Sequence, residues 1–330
     1  MTTPGVDAAL AHMMDAVFAE HGQNTDLWQR LDELGLVRLT GDEASGGSGA
    51  GWYEAAELMT AAVRHGVRIP LAEHDLLACW LLDSVGAHAD GATRTVAVLD
   101  GTGQAVAVPW ASKSERVAVL WPDGDRHLVA DVPVGDLRII QGSNMIGEPR
   151  DRVTADIASL PGDVVAADVM AHLTLKSALV RSIQICAALD RALELSIEHA
   201  TSRQQFGRSL AKFQAVQHLI ADIASEAALA RSATEAALSV AVSTDWSSPQ
   251  LEFLVAAARS CAGHATTVVV RNAHQVHGAM GTTSEHRLHE YTRAALAWRS
   301  EFGSVRSWDA RLTDMAMEAG ANRLWGLICP

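Results

Sequence analysis

The sequence predicts an α+β protein in three parts: an N-terminal helical domain (1–92), a small central β-domain (93–160) and a C-terminal four-helix bundle (161–330). Three observations carry that expectation. Apolar residues recur at three- and four-residue spacing up to residue 86 and again after residue 160. Between these stretches lie short β-branched runs bounded by Pro, Asp and Gly. Alanine is heavily used while aromatics make up only 5% of the chain, a balance that suits helix–helix packing more than a β-sandwich.

In chain order, Leu10, Met13, Met14, Val17 and Phe18 mark one helical face, and Leu27, Leu31, Leu34 and Leu36 continue it to a turn at Gly35. Residues 46–49 (GGSG) contain glycines that could cradle a phosphate, but no Lys-Ser/Thr comes after them and no strand precedes them; a turn between helices is the reading. Residues 52–67 and 70–86 are two further helical segments separated at Pro70. Strands are expected at 95–99, 105–108 and 116–121, with more at 127–132, 137–140 and 153–157. From Pro161 the helical period returns. One helix carries Leu173, Ile183, Leu189, Leu193 and Ile197; others are expected at 213–242 and 251–277, with one or two more between 288 and 325.

Composition bounds the function. There are 26 Lys and Arg against 39 Asp and Glu, a net charge of −13, which repels nucleic acid and anionic membranes. No apolar run reaches the roughly 18 to 20 residues of a membrane span, and the N-terminus lacks the pattern of a signal peptide. Cys79, Cys186, Cys261 and Cys329 are scattered without a CxxC pair and read as buried or free thiols of a reducing cytoplasm.

Residues 201–210 (TSRQQFGRSL) organise the C-terminal part. Arg203 falls between two helices, where its planar fork can meet a phosphate bidentately. Phe206 offers a flat face, and Gly207 permits the tight turn before the next helix. Gln275 and Gly278 fall at a helix end where backbone can approach a ligand, and Gly281 continues the bend.

Three stretches together resemble the acyl-CoA dehydrogenase family. They are 27–49 (LWQRLDELGLVRLTGDEASGGSG), 201–224 (TSRQQFGRSLAKFQAVQHLIADIA) and 275–285 (QVHGAMGTTSE), with Arg293 after them. The second and third, about seventy residues apart, are the specific ones. The resemblance implies FAD as cofactor, with these two motifs binding its pyrophosphate and adenosine end across a subunit interface. Arg203, Phe206, Gln214, Gln275 and Gly278 would then serve a flavin held mainly by a neighbouring chain. Ala279 stands where the family usually has a second Gly.

What the family has and this chain lacks is equally informative. Neither the Thr-Glu-Pro-x-x-Gly-Ser-Asp stretch nor the Trp-Ile-Ser/Thr-Asn stretch, which hold the flavin ring and acyl-CoA in cis, occurs in 106–113 (VAVPWASK) or 117–123. The family's catalytic Glu has two usual positions. One is 24 residues after the motif Gly, which is Phe302 here; the other, on the helix before the Arg motif, is Ser177. Removing an α-proton needs a positioned carboxylate, which neither side chain can supply. Glu301 is one residue off and reads as a solvated carboxylate. This pattern resembles the smaller subunit of α2β2 heterotetrameric acyl-CoA dehydrogenases of bacterial steroid catabolism. It implies a larger catalytic partner, a bulky acyl-CoA substrate and an electron-transfer flavoprotein as acceptor.

Three other readings compete. The chain could be a flavin-free interaction subunit of the same fold, or an active homotetrameric dehydrogenase using Glu301. His274, His277, His286 and His289, with Cys261 and His264, raise a metal site, but no acidic cluster accompanies them. They read as helix-end histidines, and no metal is assigned. Trp298, Trp308 and Trp325 read as core or subunit-interface packing.

Overall fold

The protein is described by a computed structural model covering residues 5–87, 89–283 and 285–328. The predicted Cys329 thiol lies outside the described residues. The chain divides within one long helix into two compact units, Met1–Lys176 and Ser177–Pro330.

The first unit begins with helices α1 (Ala8–His21) and α2 (Leu27–Glu33), and Gly35 ends the second in the left-handed region at φ +70°. Asp7 caps α1 by accepting from the amides of Ala9 and Leu10. The glycine-rich stretch is a turn: Gly47 lies so close to Gly41 that a Cβ would meet its carbonyl carbon at 2.1 Å. Helix α3 (Trp52–Arg64) comes next. The segment after it winds as a π-helix over Glu73–Cys79 before closing into α4 (Trp80–Asp83), a widening that apolar periodicity does not reveal. The π turns bury Glu73, His74 and Asp75, with Asp75 accepting from the Thr40 amide at 3.0 Å and His74 Nδ1 from the Arg94 amide at 3.0 Å.

The β region holds two sheets over one core. Strands β1 (Arg94–Val98), β3 (Arg116–Asp123) and β4 (Arg126–Pro133) form one, with β1 and β3 parallel; β2 (Gln104–Pro109), β5 (Arg138–Ile140) and β6 (Arg150–Thr154) form the other, in the order β2-β6-β5. Alternate residues Val117, Val119 and Trp121 share one core with Ala97, Val108, Val132 and Val153, as the period-two side-chain direction of strands requires, while Ala118 and Leu120 between them are buried as well. The helical period does not resume at Pro161. Gly162 lies flat on Trp121, where a Cβ would sit 2.5 Å from the ring, and β7 (Asp163–Val164) pairs with β4. Helix α5 starts only at Val169 and runs to Ser202.

The second unit is helical. After α5 come α6 (Gln214–Ser243), α7 (Leu251–His277), α8 (Leu288–Trp298) and α9 (Val305–Ile328), the last kinked at Gly320. Helices α6 and α7 pack through small residues, among them Ala230, Ala237 and Ala241 against the buried Ala258, Ala262 and Ala265 face. This explains the alanine content: small side chains let backbones approach closely. Asp190 of α5 pairs with Arg231 of α6 at 2.7 Å, and Cys186 meets Thr234. By length and composition alone, α7 with its extension to Thr282 is apolar enough to cross a membrane, a correction to the sequence reading, with a mean hydropathy of 1.4. It is the central helix of this unit, carrying the buried Arg259 and packed against both α6 and α9. Trp298 and Trp308 are buried, whereas Trp325 is 74% exposed, so core packing does not apply to it. Cys79 and Cys186 are buried free thiols and Cys261 is half-buried.

Candidate functional site

Helix α5 ends at Ser202, and Arg203 is its first non-helical residue, its amide donating back to the His199 carbonyl at 2.9 Å. The connection from here to α6 is more than a simple turn. Strands β8 (Gln204–Gln205) and β9 (Arg208–Ser209) form a minimal hairpin around Phe206 and Gly207, both at positive φ, +54° and +76°. Two consecutive positive-φ residues define the turn whose twist matches paired strands. Gly207 suits it; Phe206 bears the strain of a side chain in the left-handed region. The Ser209 hydroxyl donates to the Ala200 carbonyl at 2.7 Å and pins the hairpin against the helix end.

This arrangement thrusts Phe206 outward at 87% exposed. Its ring meets Phe213 edge-on at 6.1 Å, and the Arg208 guanidinium covers Phe213 at 4.1 Å. Gln214, the first residue of α6, is exposed, as is Arg203. At the end of α7, Gln275 is exposed, and Gly278 takes φ +60° with nothing within 4 Å of where a Cβ would be. Only glycine leaves backbone so open to an approaching ligand.

The two motifs converge. His199, one turn before Arg203, stacks on His277, two residues after Gln275, with ring centroids 4.5 Å apart. His286 closes on His277 at 4.6 Å. Burial pushes the His277 imidazole down to about 4, the neighbouring imidazoles adding to the effect, so it is neutral at physiological pH. Of the histidines grouped by sequence spacing, only His277 and His286 meet. His274 bonds Thr292 at 3.0 Å, His289 bonds the His286 carbonyl, and His264 pairs with Asp309 at 3.0 Å. Cys261 and His264 lie roughly 20 Å up the axis of α7 from its end. His199 takes their place, a residue that no local spacing singles out.

The two positions where the family places its catalytic base lie in the second unit. Ser177 is buried on α5. Phe302 takes φ +52° in the turn between α8 and α9, its ring under the Arg181 guanidinium at 4.9 Å. Glu301 is not the freely solvated carboxylate expected from sequence: it is paired with Arg181 at 2.8 Å, with side chains 15% and 1% exposed respectively. Arg259 fixes the same turn by donating to the carbonyls of Arg299, Glu301 and Gly303.

In the first unit, part of the stretch 106–113 is engaged internally, while Val106, Ala107 and Lys113 are exposed. Ala111 is fully buried, and the Ser112 amide donates to Asp151 at 2.7 Å.

Comparison with known proteins decides the family. The acyl-CoA dehydrogenase N-terminal domain matches residues 6–92 and the acyl-CoA dehydrogenase C-terminal domain matches residues 168–305. The chain belongs to the acyl-CoA dehydrogenase family. It is 27% identical over 308 residues to acyl-CoA dehydrogenase IpdE2 of Mycolicibacterium smegmatis, covering 90% of each chain. Among solved structures it is similar to a chain of the ChsE4-ChsE5 complex from Mycobacterium tuberculosis, with a TM-score of 0.83 and 22% identity over 97% of this chain and 100% of that one. It is also similar to a chain of the steroid ACAD Tcur3481-Tcur3483, with a TM-score of 0.82 and 20% identity over 95% of this chain and 98% of that one. At such identities the structural likeness shows a shared acyl-CoA dehydrogenase fold. Members of the family are FAD-binding oxidoreductases.

Proposed function

We propose that this chain is the smaller, non-catalytic subunit of a heteromeric FAD-dependent acyl-CoA dehydrogenase. It completes the flavin site of a larger partner, which supplies the base. The observation that carries this reading is the meeting of the two motif ends at the His199–His277 stack, with Arg203, Phe206, Gln214, Gln275 and Gly278 all turned to solvent. Ligand groups displayed outward suit a cofactor brought by another chain.

The exposed groups fit the pyrophosphate and adenosine end of FAD. Arg203 offers a planar, permanently charged fork for phosphate oxygens. Gly278 offers open backbone, Gln214 and Gln275 offer amide donors and acceptors, and Phe206 offers an aromatic face. Bound FAD supplies the hydride acceptor for α,β-desaturation of an acyl-CoA thioester. Proton abstraction falls to the partner, because Ser177 and Phe302 have no basic group and Glu301 is committed to Arg181. That ion pair also speaks against the homotetrameric alternative in which Glu301 acts as base.

The names of two structural relatives, one a complex of two different chains and one a steroid ACAD, support a heteromer acting on a bulky, steroid-type acyl-CoA. By family habit, the complex passes electrons to an electron-transfer flavoprotein in the cytoplasm. The direct test is Arg203→Ala in the assembled complex. Losing the phosphate contact should lower FAD retention at least about tenfold, the scale of one charge-assisted hydrogen bond. The melting profile should stay unchanged, since Arg203 is exposed. Undiminished flavin content would count against the proposal.

A further inference from the structure

The second unit holds a group of side chains to which the flavin reading assigns no ligand role. His199, His277 and His286 each place a ring nitrogen within 4.8 Å of the other two. His277 is 4% exposed, and its Nδ1–H donates to the Ala273 carbonyl at 2.8 Å. That bond assigns the hydrogen to Nδ1 and leaves a lone pair on Nε2. The Nε2 atom is buried and has no hydrogen-bond partner. An unsatisfied buried acceptor is costly, and here its ring lies beside two further imidazoles, stacked on His199 at 4.5 Å and edge-on to His286 at 4.6 Å between centroids. A backbone carbonyl holding one ring nitrogen while the other is presented is the usual second-shell support of a ligating histidine.

We propose that His199, His277 and His286 form a mononuclear binding site for a late first-row divalent cation, Zn²⁺ by abundance. The set contains only imidazole nitrogens, which favours Zn²⁺, Co²⁺, Ni²⁺ or Cu²⁺ over the oxygen-seeking Mg²⁺ and Ca²⁺. Nitrogens bound tetrahedrally at the usual length lie about 3.4 Å apart, so separations of up to 4.8 Å close by about 1.4 Å, and His199 tilts out of its stack on His277 to bring its in-plane lone pair onto the ion. His277 is the anchor. His286 is the ligand that adjusts, because its Nδ1 now accepts from the Leu288 amide at 3.1 Å. That amide is in the first turn of α8, where no helical carbonyl is its partner, so ligation by His286 exchanges this bond for the metal bond. No carboxylate belongs to the set, and the Arg203 charge acts on His199. The fourth coordination position is therefore left to water or an anion. All three ligands come from one chain, so the site does not require flavin or a partner. Its effect is to tie the end of α5 to the end of α7.

The test uses the untagged full chain, stripped with a chelator and titrated with Co²⁺ while visible absorption is recorded. The proposal expects one equivalent bound with the intense bands of a four- or five-coordinate ion, discharged by Zn²⁺. His199→Asn and His286→Asn should each weaken binding at least about a hundredfold, the upper end of what even a second-shell loss costs. Circular dichroism would check that both variants fold, and His274→Asn should bind as the parent does. A spectrum that remains that of the six-coordinate aqua ion, or binding that survives loss of His199 or His286, would overturn the site.

Discussion

Glu301 shows how a residue's partners decide its chemistry. It neighbours the position where the family places its base, yet its Oε2 accepts from the buried Arg181 at 2.8 Å. Glu301→Gln keeps an acceptor for that guanidinium but removes the charge. In the assembled complex, turnover should stay within about twofold, while stability falls by about 1–3 kcal/mol as a buried cation loses its counterion. A drop in turnover of a hundredfold or more, the scale of a lost general base, would make Glu301 catalytic. Asp75 gives a second prediction at this scale. Burial pushes its carboxyl up to about 7 from an ordinary 3.8, outweighing the Thr40 bond and the Arg38 charge. The folded chain therefore holds a proton that the unfolded chain releases, so this group's stabilisation is complete below about pH 4 and fades as pH rises through about 7. His74 works the other way: burial, with the Arg94 and Arg38 charges, pushes it down to about 3, so its contribution fades as pH falls below about 6.5. Asp75→Asn retains an acceptor for Thr40. Its urea-unfolding stability relative to the parent should rise between pH 5 and 7.5, and a constant difference would contradict the assignment.

At the scale of elements, packing rather than propensity sets the close contacts. Gly263 lies inside α7 at a position where a Cβ would meet Val305 Cγ2 of α9 at 2.4 Å. Helix propensity alone favours Ala there by about 1 kcal/mol. Overpacking costs about 1–3 kcal/mol, so Gly263→Leu should lower the denaturation midpoint, and an unchanged midpoint would mean the contact yields freely. Gly207 is different. It has open space around it but φ +76°, so Gly207→Val should leave global stability nearly intact while distorting the hairpin and lowering flavin retention in the complex. Much of the element order was legible from the sequence. The 251–277 helix coincides with α7, and the runs at 95–99, 105–108 and 116–121 lie within a residue or two of β1, β2 and β3. Those elements advertise themselves through local periodicity. The missed ones are set by distant partners or by strain. Strand β7 exists because it pairs with β4, and the β8–β9 hairpin places a Phe at positive φ, which sequence preference argues against. The meeting of His199 with His277 links positions 78 residues apart and leaves no mark in local spacing.

At the scale of the molecule, the account rests on an asymmetry between what is displayed and what is absent. Arg203, Phe206 and Gly278 were legible as ligand candidates because their chemistry is local: a fork, a face and an open backbone. That the two motifs stand side by side required the fold. The stretch 106–113, which carries no cis flavin motif, is drawn into contacts with Asp151 and the β core. A chain built this way offers half a site. The most direct measurement is flavin absorbance per chain, taken for this protein purified alone and for the same protein co-expressed with a catalytic acyl-CoA dehydrogenase chain from the same genome. The account predicts a colourless protein alone and one FAD per pair of chains in the complex. A yellow protein alone, with one FAD per chain and dehydrogenase activity of its own, would contradict it.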